Sequence, residues 1–130
     1  MARFSFKWLA ALAALSLLSV AAFAQTAGPS VQTSLGVTPT TTTAGGTVTV
    51  FGSITNTSSK AEKVTINYDV VGPCNYTDEY TVKVKLKAGE TRSSSTSQTV
   101  PACAGDYIIT ATATSGGAVL DTKSVTVTVQ

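Results

Sequence analysis

Tyr80-Thr81-Val82-Lys83-Val84-Lys85-Leu86-Lys87 alternates apolar and polar side chains without a fault over its whole length. A period of two is that of a strand with one face on a core and the other in water, whereas a helix repeats its apolar positions every 3.6 residues. The same alternation runs through residues 64–70, which turn Val64, Ile66, Tyr68 and Val70 inward and Thr65, Asn67 and Asp69 outward. Residues 47–55 put Val48, Val50 and Ile54 on one face and Thr47, Thr49, Ser53 and Thr55 on the other, with Phe51 as the exception, exposed or under a loop. Residues 107–113 and 125–129 give two further strands and residues 31–37 a weaker first one. Residues 91–100 are almost wholly polar after the turn Ala88-Gly89-Glu90, which predicts a short, exposed edge strand.

Turn signals separate these runs at Ala44-Gly45-Gly46, Thr57-Ser58-Ser59-Lys60, Gly72-Pro73, Ala104-Gly105-Asp106 and Ser115-Gly116-Gly117. About seven antiparallel strands at this spacing predict an all-β fold, an immunoglobulin-like β-sandwich. Thr and Ser make up 34 residues beyond position 24, and strand propensity accounts for them without invoking an ice-binding array.

The N-terminus is of another kind. Arg3 and Lys7 precede an apolar run from Trp8 to Val20, and Ala22-Phe23-Ala24 supplies a small-x-small cleavage pattern. Residues 1–24 therefore read as a cleaved secretory signal of bacterial appearance, residues 25–30 as a flexible mature N-terminus, and residues 31–130 as one domain. The apolar run falls short of the ~20 residues a bilayer span needs, and no membrane span is expected after cleavage. The protein is expected to be exported, to the periplasm or the exterior. Beyond residue 24 seven basic residues face seven acidic ones, so nucleic acid is not an expected partner. His is absent from all 130 residues, which excludes Ser-His-Asp and Cys-His catalysis and His-ligated metal sites. No cofactor and no metal are expected.

The two cysteines, Cys74 and Cys103, both lie in the exported part, where an oxidising compartment lets them pair. Alternating strand directions bring the loop after the third strand and the loop after the fifth to one end of the sandwich, which places the two cysteines together. This differs from the antibody bridge across the core beside a buried Trp, since the only Trp is Trp8. Tyr107, opening the sixth strand after Gly105-Asp106, is placed like the tyrosine that pins the corner of many such sandwiches.

Several motifs resemble the bacterial immunoglobulin-like modules of the CARDB, or cell-adhesion-related, type. They are Val37-Thr38-Pro39, Ala44-Gly45-Gly46-Thr47-Val48-Thr49-Val50, Ile54-Thr55-Asn56-Thr57, Leu86-Lys87-Ala88-Gly89-Glu90-Thr91 and Gly105-Asp106-Tyr107. The resemblance covers nearly all of residues 31–130 and implies the fold; an adhesion role is what it implies for function.

The candidate binding loop is the disulfide-clamped Gly72-Pro73-Cys74-Asn75-Tyr76-Thr77-Asp78-Glu79, with Asn75, Tyr76, Asp78 and Glu79 as contact residues and Tyr76 foremost. Lys83, Lys85 and Lys87 form a basic stripe on one strand face. Asp69, Asp78, Glu79, Asp106 and Asp121 lack the spacing of a calcium loop. Asp78 and Glu79 are adjacent on the chain and point apart, unlike a glycosidase pair. Asn56-Thr57-Ser58 and Asn75-Tyr76-Thr77 match the N-glycosylation sequon, coincidentally if the source is bacterial. The sequence thus predicts a non-catalytic secreted or periplasmic module that binds a protein or carbohydrate ligand of the cell envelope or exterior through surface loops. The alternative is a structural subunit that self-associates through its sheet edges.

Overall fold

A computed structural model describes residues 16–18, as backbone, and residues 30–130. The expected signal and mature N-terminus lie outside the described residues, apart from 16–18 and Ser30. The strands are β1 (Ser16–Leu18), β2 (Val31–Thr38), β3 (Thr41–Thr42), β4 (Thr47–Asn56), β5 (Glu62–Gly72), β6 (Tyr76–Leu86), β7 (Thr91–Thr99), β8 (Gly105–Ser115) and β9 (Ala118–Val129). One sheet has the order β1-β7-β4-β2 and the other β3-β9-β8-β5-β6. Among the described strands only β3–β9 is parallel. Past Thr38-Pro39, where proline has no N–H to continue the β2–β4 ladder, the chain passes from β2 into β3 of the other sheet. This is an immunoglobulin-like β-sandwich, as the alternation predicts.

The inward positions fill one core. Val48, Val50 and Ile54 of β4 meet Val64, Ile66 and Val70 of β5, Leu86 of β6 and Ile109 of β8, all of them buried. Each fully buried aliphatic of this kind contributes roughly 1.5–3 kcal/mol of transfer free energy. The side of the sandwich is closed by Asp121 of β9, whose Oδ2 accepts the Thr33 amide at 2.7 Å and the Thr33 hydroxyl at 3.0 Å. That contact occupies part of the outer edge of β2.

One end is organised by Asn56, whose side chain is fully buried. Its Nδ2 donates to the carbonyls of Lys60 at 2.7 Å, Leu86 at 3.2 Å and Lys87 at 3.1 Å, while its Oδ1 accepts the Ser58 amide and hydroxyl. Its backbone is tied to Glu90 and Gly89 of the β6–β7 turn. Glu90 is also buried, accepting the Lys87 amide and pairing with Arg92 at 3.1 Å. The Lys87 amide, despite an opposing cost of burial, and then Arg92 hold the Glu90 carboxyl below the usual range. A glycan on Asn56 is incompatible with this burial.

Three expectations are corrected. The polar segment 91–100 is no short strand: β7 pairs with β4 from Thr91 to Thr99, because the ladder needs backbone groups and not apolar side chains. The strand expected from Tyr80 begins at Tyr76, and the last begins at Ala118, joined to β8 over Gly116 and Gly117 with φ of 58° and 82°. The loop expected over residues 72–79 is therefore a tight turn, and Tyr76, Asp78 and Glu79 are strand residues; of the four contact residues only Asn75 stays in a turn.

Candidate binding surfaces

The end opposite Asn56 is clamped by the Cys74–Cys103 disulfide, with Cα atoms 6.3 Å apart. Cys74 and Asn75 have φ of 60° and 56°, two successive left-handed residues as in a type I′ turn, and the Tyr76 amide closes the turn on the Pro73 carbonyl at 3.2 Å. Left-handed backbone suits Asn and strains Cys, so the cystine holds a conformation the sequence alone disfavours. Tyr107 is buried and donates its hydroxyl to the Cys103 carbonyl at 2.7 Å, four residues upstream. Its ring lies where any Gly72 side chain would stand, and Pro73 fills the corresponding place at Gly105, whose φ is 132°. The Tyr76 ring stands edge-on to Tyr107 with centroids 5.7 Å apart.

Tyr76, the foremost contact residue expected from the sequence, is thus half-buried against the core. Burial, and next the Asp78 charge, push its hydroxyl pKa well above the usual tyrosine value. Strand parity explains the difference: Tyr76, Asp78 and Tyr80 continue the inward row of Val82, Val84 and Leu86. Asp78 is accordingly half-buried, its carboxyl pushed up by burial against the opposing Glu79 amide. Asn75 is exposed at the turn and Glu79 on the outer face.

The outer face of the larger sheet carries a patch near this end. Val71 of β5 and Ile108 of β8 are register partners and are 56% and 46% exposed, a side-by-side aliphatic pair in water. Asp69 and Glu79 are partners on β5 and β6, two strand positions away from Val71. Burial, then the adjoining Glu79 carboxylate, raise the Asp69 pKa. A shallow cavity of about 730 Å³ runs between Asp69, Val71, Thr77, Asp78, Glu79 and Thr110. Val71 and Ile108 were missed from sequence, although the doubled apolar pairs Val70-Val71 and Ile108-Ile109 signal them: where alternation fails, one of the two must face outward. At the other end of the same hairpin Lys83 and Lys85 are exposed opposite Thr65 and Lys63, whereas Lys87 lies past the strand end in the turn. The hairpin is therefore acidic near the cystine and basic at the far end.

The outer face of the smaller sheet has a different chemistry. Register places Thr38, Thr49 and Ser97 in one row, Gly36, Phe51 and Ser95 in the next, then Ser34, Ser53 and Ser93, then Gln32, Thr55 and Thr91. No residue of these rows is charged. Within three of the rows cross-strand hydroxyl pairs join neighbouring strands, at Ser34–Ser53 (2.6 Å), Thr49–Ser97 (3.1 Å) and Thr55–Thr91 (2.7 Å). Phe51 lies across Gly36, its ring in the space a side chain there would take, and is still 44% exposed. A depression of about 350 Å³ adjoins it, lined by Ser34, Gly52, Ser53 and residues 93–95.

The five carboxylates considered for calcium do not converge. Asp121 is engaged with Thr33 and with Lys123 at 3.0 Å, Asp106 accepts the Thr128 hydroxyl, and no group of three or more Asp, Glu, Cys or His among the described residues is placed to hold a metal ion.

No family model and no curated protein matches the sequence. Solved structures do match. The CARDB domain of a Pyrococcus furiosus protein, solved in complex with di-metal ions, superposes with a TM-score of 0.64 at 13% identity, over 85% of this chain and 95% of that one. The alkylpurine DNA glycosylase AlkC of Pseudomonas fluorescens matches with a TM-score of 0.59 at 16% identity, and a β-glucosidase of Erythrobacter marinus with 0.58 at 13%. The match covers 80% and 78% of this chain but only 31% and 16% of those two enzymes. The chain therefore has a CARDB-like fold, matched over most of its length by an isolated domain, while the two enzymes match it through only a small part of their own chains.

Proposed function

We propose that this chain is an exported, non-catalytic immunoglobulin-like module, freed of residues 1–24, that works by surface contact at its cystine end. The observation that carries this reading is the exposed Val71–Ile108 pair beside Asp69 and Glu79, set on a sheet end that a disulfide and two packed tyrosines hold rigid. A fixed scaffold lets a small patch bind without an ordering cost. The partner that fits is a protein of the envelope or exterior that offers an apolar side chain with a Lys or Arg next to it. Absence of His, a near-neutral domain and the match to an isolated CARDB domain support a contact role over a catalytic one.

The test is capture from envelope extract on immobilised exported protein, compared with Val71→Asp and Ile108→Asp. Both positions point to water, so the variants still fold, at a cost of about 1 kcal/mol of strand propensity and like-charge repulsion, and they are assayed well below their melting temperatures; loss of the same captured species in both supports the reading, and undiminished capture overturns it.

A second reading, self-association through sheet edges, is favoured by one observation. Ser16–Leu18 pairs antiparallel with Thr91, Arg92 and Ser93, so the outer edge of β7 accepts a strand. Signal cleavage removes that strand and bares the edge. Light scattering behind size exclusion on the exported protein separates the two: one chain mass favours the contact module, a ladder favours edge pairing.

A further inference from the structure

We propose that the outer face of the smaller sheet is a binding platform for a neutral polysaccharide, centred on Phe51. This goes beyond the cystine-end surface, which lies on the opposite sheet. Three features meet here. The face carries no charged side chain on β2, β4 or β7, so it offers nothing to an anionic or cationic ligand and no electrostatic steering. Its hydroxyls are held in cross-strand pairs at 2.6 to 3.1 Å, and each Ser or Thr hydroxyl both donates and accepts, the same pattern that sugar hydroxyls present. Phe51 supplies a broad apolar ring in the middle of this grid, of the size and flatness that the C–H face of a pyranose covers.

Packing over Gly36 accounts for the buried part of the Phe51 ring, since an aromatic shields a strand glycine that has no side chain of its own. It leaves the rest of the ring exposed to water, at 44% for the residue, and the contact with Gly36 holds the ring in place on the sheet. A pre-positioned ring loses little rotamer freedom when a ligand stacks on it. The depression beside it, about 350 Å³, is wide and shallow, which suits a chain lying across the strands rather than a buried monosaccharide.

The test is depletion of the exported protein from solution by microcrystalline cellulose, by chitin and by a gel-immobilised neutral β-glucan, each at low and high salt. Retention on at least one of them, unchanged by salt, with at least about tenfold weaker retention for Phe51→Ala and with Phe51→Trp retained, is the expected result. Ser95→Glu, which places a charge beside the ring without touching the core, weakens retention equally and guards against a folding defect in Phe51→Ala. No retention of the wild-type protein on any of the three overturns the proposal, as does retention indifferent to both variants. A dimer that Phe51→Ala converts to monomer overturns it too, in favour of this face packing on a second copy. The Val71→Asp variant keeps its glycan retention, so failure here and failure at the cystine end are told apart.

Discussion

Removing one oxygen atom from Tyr107 tests whether the cystine and the tyrosine form one device. In Tyr107→Phe the ring keeps its place over Gly72 and against Tyr76, and only the 2.7 Å bond to the Cys103 carbonyl is lost. A hydrogen bond of this kind contributes about 1 kcal/mol net, and the stranded carbonyl raises the cost toward about 2 kcal/mol. For a domain of this size that lowers Tm by roughly 4–8 °C per kcal/mol. The disulfide closes a loop with a sequence separation of 29, for which loop entropy gives about 3.5 kcal/mol. The accepting carbonyl belongs to the cystine itself, so the two contributions are coupled: without the bridge, Cys103 is free to move and the hydroxyl has no fixed partner. In a Cys74→Ser, Cys103→Ser background Tyr107→Phe is therefore expected to cost less than half as much. The assay is urea unfolding followed by far-ultraviolet circular dichroism, on four proteins that close a double-mutant cycle. A loss below about 0.3 kcal/mol in the bridged protein, or an equal loss in both backgrounds, refutes this account.

Asn56→Ala removes three donated and two accepted hydrogen bonds from a fully buried site, and a loss of about 3 kcal/mol or more is expected in urea; less than about 1 kcal/mol would contradict its role at that end. The Asp69 pKa is raised in the folded protein, so its contribution to stability is full in acid and is lost as pH rises through that raised value. Asp69→Asn is thus expected to stabilise by about 0.5 kcal/mol near neutral pH, by relieving the like-charge pair with Glu79, and to gain nothing in acid; an equal gain at both refutes the pairing. Glu90 has the opposite sign, its contribution being present above the usual carboxylate range and lost as pH falls through its lowered pKa. Glu90→Gln should therefore destabilise at neutral pH, with a deficit that shrinks in urea titrations on acidification.

What the sequence discloses about this fold is what the period of two carries. Val48, Val50, Val64, Ile66, Val82, Val84 and Leu86 are buried as their alternation demands. Strand parity also brings Cys74 and Cys103 to one end, where they are bonded. The misses fall where parity is silent or local composition misleads. Residues 76–79 look like a polar loop, yet they extend β6, because β5 offers a ladder as far as Gly72. Asn56 sits in a sequon on paper, while its role depends on carbonyls 30 and 31 residues away. Asp121 meets Thr33 across a separation of 88 residues, and no local pattern encodes such a contact. The uncharged face likewise needs the register of β2, β4 and β7 before Phe51 is seen to lie on Gly36 with seryl rows beside it.

The treatment of the edges bears on which surface is used. Asp121 occupies part of the β2 edge, and β6 carries the inward, half-buried Asp78, a charge that a second sheet pairing there would have to bury further. From Ser93 to Thr99 the β7 strand has neither a charge nor a proline, so among these three edges it alone lacks such a guard. A strand added to β7 pairs through the backbone and extends the smaller sheet sideways; its alternate side chains then stand beside Ser93, Ser95 and Ser97 and widen the platform around Phe51 without covering it. Edge pairing and glycan binding are therefore compatible, and they separate by mutation: Phe51→Ala acts on side chains of the face and leaves the β7 backbone edge intact. If β7 assembles the protein, that variant still assembles while losing its grip on the glycan, and an assembly that fails together with glycan retention would mean that the partner packs on the face itself.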